Sequence, residues 1–148
     1  MNKIRILYII SFLANGGTEK QLMMLVNGLD RKRFEPYVVA LYKDGNKFRD
    51  RLNCEVMGLD LRKILSVEGF KKILRLVRYA KDKRIDIVQA FFLDPTFIGV
   101  ILKLSGACRK LITCRRDLGF WYTPMKLLQL RIFNKIGRAS CRERVYTK

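Results

Sequence analysis

Ile4-Arg5-Ile6-Leu7-Tyr8-Ile9-Ile10, then Ser11-Phe12-Leu13-Ala14-Asn15-Gly16-Gly17, then the periodic segment Thr18 to Leu29: this stretch decides the fold. The first run is β-branched and aromatic, and too short to span a membrane, so it reads as a strand buried on both faces. Thr18 and Gln21 have capping-box spacing, which predicts a helix start there. Leu22, Leu25, Val26 and Leu29 then share one helical face. A strand, a glycine loop and a helix start bring backbone N–H groups and a positive helix end to one point, which suits an anion such as phosphate. The other reading is a plain strand–helix turn that uses glycine only for its backbone angles. Neither a Gly-x-Gly-x-x-Gly fingerprint nor a Gly-Lys-Ser/Thr ending is present.

Outward from this stretch the chain alternates. Pro36 opens a second strand, Tyr37 to Tyr42, followed by turn chemistry at Lys43-Asp44-Gly45-Asn46. Lys47 to Asn53 reads as a helical turn, and Cys54 to Leu59 as a short strand. Ser66 caps a helix from about Val67 to Lys83, with Phe70, Ile73, Leu74, Val77 and Ala80 as its apolar stripe. Lys71, Lys72, Arg75, Arg78 and Lys81 lie mostly off that stripe. They form either a solvated face or a patch that contacts an anionic membrane. Ile85 to Phe92 is the fourth strand. Asp94-Pro95 predicts a helix with an aspartate N-cap, burying Phe97, Ile98, Ile101, Leu102 and Leu104 and ending at Ser105-Gly106. Lys110 to Cys114 is a fifth strand, and Thr123-Pro124 opens a helix from Met125 to Lys135.

Strand and helix in alternation, with Ile- and Val-rich strands, predict an α/β fold: a doubly wound parallel sheet covered on both faces. In such a sheet ligands bind beyond the carboxyl ends of the strands, where the strand order reverses. Asn15 to Thr18, Phe91 to Pro95 and Arg115 to Asp117 reach that edge.

The 148 residues suffice for one domain, and 49% hydrophobic content can build a core. The net charge of +18 points to anionic partners. The sequence holds no histidine, which removes the commonest general base and metal ligand; no metal is expected. Cys54, Cys108, Cys114 and Cys141 lack CxxC spacing and read as reduced thiols of a cytoplasmic protein. Lys3, Arg5 and the apolar run to Ala14 have the outline of a signal peptide, but the run leads directly into a capped amphipathic helix. No run is long enough for a transmembrane helix.

At Asn15-Gly16-Gly17-Thr18-Glu19 the chain resembles the N-terminal domain of the retaining, nucleotide-sugar-dependent GT-B glycosyltransferases. That family commonly places a Gly-Gly-x-Glu loop and a helix after its first strand. Ile85-Asp86-Ile87-Val88-Gln89-Ala90-Phe91-Phe92 resembles the family strand that usually carries histidines. Thr113-Cys114-Arg115-Arg116-Asp117-Leu118-Gly119-Phe120-Trp121 resembles its next strand and loop. The resemblance covers about residues 3 to 135 and implies a Rossmann-like domain, the acceptor-side half of a two-domain enzyme. Its activity would be transfer of a sugar from a nucleotide sugar to a hydroxyl of a glycan or lipid-linked acceptor. No further cofactor is implied in this domain. The second domain would supply most of the donor site and is absent from this stretch, so the chain reads as a fragment that does not catalyse transfer alone.

On that resemblance the substrate-binding candidates are Gly16, Gly17, Gln89, Asp94, Arg115 and Arg116. Gly16 and Gly17 would let the loop approach the donor diphosphate or the acceptor. Gln89 and Phe91 stand where the family has histidines; Gln89 either hydrogen-bonds a hydroxyl or is a satisfied strand glutamine. Asp94 is a ligand or only a helix cap. Arg115 and Arg116 suit a phosphate, or pair with Asp117. Glu19 reads as a helix-start carboxylate. Phe120, Trp121 and Tyr122 stack on a sugar, sit at a bilayer interface or fill the core. No nucleophile or general base stands out, so the catalytic residues are unassigned. The family's frequent work at the cytoplasmic membrane adds weight to the membrane reading of Lys71, Lys72, Arg75 and Arg78.

Ile136-Gly137-Arg138-Ala139-Ser140-Cys141-Arg142-Glu143-Arg144-Val145 matches the in-frame translation of a common sequencing adapter. Residues 136–148 are therefore set apart from the domain at 1–135 as a non-native tail. Without them 27 basic residues face 12 acidic ones, so a net +15 survives. The competing reading is a basic membrane- or nucleic-acid-binding module without catalysis. No nucleic-acid recognition motif is present, and the basic residues are scattered over several segments, so no nucleic-acid partner is expected.

Overall fold

The computed structural model describes residues 3–42, 48–61, 63–64, 66–114 and 138–139. Strand β1 (Ile4–Ile10) leads to helix α1 (Gly17–Gly28) and β2 (Phe34–Ala40). A 3-10 turn (Arg49–Arg51) precedes β3 (Glu55–Gly58), α2 (Val67–Asp82), β4 (Ile87–Phe91), α3 (Leu93–Leu104) and β5 (Lys110–Cys114). A two-residue β6 (Arg138–Ala139) lies in the segment read above as a tail and pairs with Ile112 and Thr113. The sheet order is β3-β2-β1-β4-β5-β6, and every pairing is parallel.

Alternation along the strands builds a separate core on each face. Leu7, Ile9, Val39, Val88, Ala90 and Leu111 meet α2 and α3 through Ile73, Leu76, Ala80, Ile98 and Leu102. Ile6, Tyr8, Ile10, Val38, Phe91 and Cys114 meet α1 through Leu22 and Val26. Helices on both faces of a parallel sheet make this a doubly wound, Rossmann-like α/β fold. Pro36 stands in β2 just before the β3 ladder begins at Tyr37, where its missing N–H costs no β3 bond.

Helix α2 differs from its expected phase. Its buried side is Gly69, Ile73, Leu76, Val77 and Ala80, whereas Phe70 and Leu74 face outward, 61% and 42% exposed. Gly69 explains the rotation. A Cβ there would stand 2.3 Å from the Lys63 carbonyl oxygen and 2.6 Å from that of Ile64, so only glycine lets this turn press onto the preceding backbone. Ser66 caps α2 as expected, its Oγ accepting the Gly69 N–H at 3.0 Å. Leu25 on α1 and Leu104, the last residue of α3, both expected inside, are exposed. The helix expected from Met125 to Lys135 lies outside the described residues.

Candidate functional site

Strand β1 lies between β2, reached through α1, and β4, reached from the opposite flank. The switch point is therefore the carboxyl end of β1 and β4, and the candidate site is built there. The loop after β1 is held by its neighbours: the Tyr42 N–H donates to the Ser11 carbonyl at 3.0 Å, and the Phe48 N–H to that of Leu13 at 3.2 Å. Leu13 is buried, whereas Phe12 is half-exposed with its ring 5.0 Å from that of Tyr42.

The helix after this loop starts at Gly17, with Gly16 as N-cap, not at Thr18. The capping-box reading of Thr18 and Gln21 is thereby corrected: the cap lies two residues earlier, at Gly16. Gly16 has φ −95° and ψ 168°, and neither Gly16 nor Gly17 has a positive φ. Backbone angles thus do not demand glycine at either position, and the one close neighbour of a Gly16 side chain would be the flexible end of Glu19. A Cβ on Gly16 would lie 2.1 Å from Glu19 Oε2, so the Glu19 carboxylate folds back over the helix start. That carboxylate sits where the helix end favours negative charge, in keeping with its reading as a helix-start residue. Around a Gly17 Cβ nothing lies within 4 Å. The first helical N–H groups, which have no intrahelical acceptor, point from this end.

Across the switch point Phe92 has φ 72° and ψ −177°, a region that is nearly glycine-only and costs a phenylalanine about 1–3 kcal/mol. It is held there by its N–H donating to the Cys114 carbonyl at 3.1 Å and by the Thr96 hydroxyl donating to its carbonyl at 2.6 Å. Phe92, not Asp94, is the N-cap of α3. Asp94 lies inside the first turn, and its Oδ2 accepts the Tyr42 hydroxyl at 2.7 Å. The strained residue follows directly on the last residue of β4, so the helix begins before the aspartate can cap it. Burial, and then the Asp94 carboxylate, push the Tyr42 phenol far above its ordinary range, so it stays a donor.

Gly16, Gly17 and Asp94 thus gather at one edge. Gln89 does not: it lies within the β4 ladder, and its Nε2 donates to Cys114 Sγ at 3.1 Å, the satisfied strand glutamine of the two readings. Phe91 is buried and stacks with Tyr8 at 6.5 Å between ring centres. Arg115 and Arg116, with the aromatic residues 120–122, lie outside the described residues. Sequence reading missed Tyr42, Phe12 and Phe92. A tyrosine closing an apolar strand run was the available signal for Tyr42; nothing local announces the Phe92 conformation.

On α2, Lys71, Arg75 and Arg78 are exposed, but Lys72 is engaged: its Nζ donates to the Asp60 carbonyl at 2.7 Å and pairs with Glu68 at 2.8 Å. A groove of about 670 Å³ lies at the opposite, amino edge, lined by Lys3, Arg5, Arg84, Asp86, Arg109 and Lys110. Volume favours the groove and topology favours the carboxyl edge. The groove's one carboxylate is committed to holding strands together, accepting the Arg5 N–H at 3.0 Å, and Arg5 itself bonds Glu35. The strained, glycine-lined edge is therefore taken as the candidate.

Among the described residues no group of His, Cys, Asp and Glu could hold a metal, and no helix is long and apolar enough to cross a membrane. No protein-family model matches the chain, and no curated protein does. Fold and edge together define a small Rossmann-like α/β domain.

Proposed function

We propose that this chain is the N-terminal, acceptor-side domain of a retaining GT-B glycosyltransferase. The full enzyme would transfer a sugar from a nucleotide sugar to a hydroxyl of a cell-envelope glycan or lipid-linked acceptor. It would work in the cytoplasm, peripherally on the inner face of the membrane. The observation that carries this reading is the Asn15–Glu19 loop and helix start at the switch point, with Gly17 open and no positive φ to demand glycine. In such chemistry the protein positions the acceptor and stabilises charge on the departing diphosphate. Gly16 and Gly17 would admit the diphosphate or the acceptor close to the helix N–H groups. Asp94, oriented by Tyr42, would accept a hydrogen bond from an acceptor hydroxyl. Arg115 and Arg116 would bind phosphate.

The test begins with the source DNA beyond the codon for Lys135. The reading expects an open frame that continues into a second domain with a basic pair and a glutamate pair. The longer protein should then transfer labelled sugar from one of a panel of nucleotide sugars. A frame that closes near residue 135, or a longer protein inert toward every donor, contradicts the reading and leaves a non-catalytic binding module.

A further inference from the structure

Helix α2 carries an outward face that the core does not use. At ~100° per residue, Val67, Phe70, Lys71, Leu74, Arg75, Arg78 and Lys81 fall within an arc of about 140°, opposite the buried side. Val67, Phe70 and Leu74 are 77%, 61% and 42% exposed, spaced i, i+3 and i+7 so that they form one ridge. The cations Lys71, Arg75, Arg78 and Lys81 flank that ridge and are all exposed. Of the helix's acids, Glu68 is paired with Lys72, and Asp82 lies in the last turn.

We infer that this face docks on the anionic surface of a lipid bilayer. An apolar ridge edged by lysine and arginine is the pattern of a helix lying in the headgroup plane: the ridge enters the acyl boundary, and the cations meet lipid phosphates. Charge alone would suit many polyanions. Three exposed apolar side chains in register with the cations select a surface that is anionic outside and apolar beneath. The helix runs from the carboxyl edge of the sheet, after β3, back toward the amino edge, before β4. The apolar residues occupy its first half, so docking brings the carboxyl edge toward the membrane. In that orientation the candidate site faces a lipid-linked acceptor, a consequence that rests on the glycosyltransferase reading; the docking itself does not.

The experiment is cosedimentation of the full chain with vesicles of phosphatidylcholine, alone or mixed with phosphatidylglycerol, at low and at physiological salt. Binding to the mixed vesicles only, weakened by salt, is expected. Lys71→Ala, Arg75→Ala and Arg78→Ala should each weaken it by about fivefold, and Phe70→Ser/Leu74→Ser by roughly tenfold. These residues lie outside the core, so each variant should still melt cooperatively as a folded chain; Arg84→Ala/Arg109→Ala in the amino-edge groove should bind as the parent does. No binding to anionic vesicles overturns the inference. So does binding that the Phe70→Ser/Leu74→Ser pair leaves intact, or a chain that ignores vesicles and binds single-stranded RNA through the same cations. None of these results bears on sugar transfer to a soluble acceptor, so the two proposals fail separately.

Discussion

The two edges of the sheet are built from different materials. At the amino edge, long cations surround Asp86, whose carboxylate and carbonyl fasten the starts of β1 and β5. At the carboxyl edge, short and aromatic residues meet: two glycines, a strained Phe92, and the Tyr42–Asp94 hydrogen bond. The first arrangement offers charge and volume, and its polar atoms serve the fold. The second offers less charge among the described residues but holds the Phe92 backbone in a conformation that only the surrounding structure sustains. Strain retained at a switch point is a better pointer to ligand contact than lysines around a groove.

Substitutions can break this contrast. The largest effect is expected at Gly69, in the turn that carries the chain from the carboxyl edge into α2. Gly69→Ala should destabilise by up to about 3 kcal/mol in denaturant titrations, because its Cβ meets two backbone oxygens. In an open helix the same change would stabilise by about 1 kcal/mol. At the amino edge Asp86→Ala should cost about 1–2 kcal/mol by leaving the Arg5 N–H without its acceptor, with no change in anion binding at the carboxyl edge. Tyr42→Phe should cost about 1 kcal/mol and weaken that anion binding, read by calorimetry, because it leaves the Asp94 carboxylate without its donor beside the helix start.

The smallest effect concerns pH. Hydrogen bonding from Tyr37, and then the Arg5 side chain, hold the Glu35 carboxyl below its ordinary value of 4.5. A carboxylate with a depressed folded pKa contributes stability that is present above the unfolded value and lost as pH falls through the folded one. Below about pH 4.5 the amino edge should therefore lose a few tenths of a kcal/mol, the scale of an exposed pair. Glu35→Gln should flatten that limb of the stability–pH curve.

Most of the architecture was legible because it is written locally. Strands β1 and β5 keep their expected bounds, since runs apolar on both faces admit few alternatives. Ser66 announced its helix through a hydroxyl that caps the Gly69 N–H three residues on. The misplaced features depend on distant partners. The phase of α2 is set by carbonyls of Lys63 and Ile64 that no periodicity reveals. Asp94 looked like a cap because Asp-Pro usually starts helices, yet Phe92 takes the cap position and the aspartate turns to a tyrosine 52 positions away. Of the candidate site, the glycine loop was legible, but its contacts with Tyr42 and Phe92 were not.

The most direct test of the carboxyl edge as the ligand edge is an amide-resolved NMR titration of the full chain with inorganic pyrophosphate. Saturable shifts are expected at Gly16, Gly17, Thr18 and Phe92, with Arg84, Arg109 and Lys110 unmoved. Shifts confined to those three groove residues, or none at the glycine loop, would contradict a ligand site at the carboxyl edge.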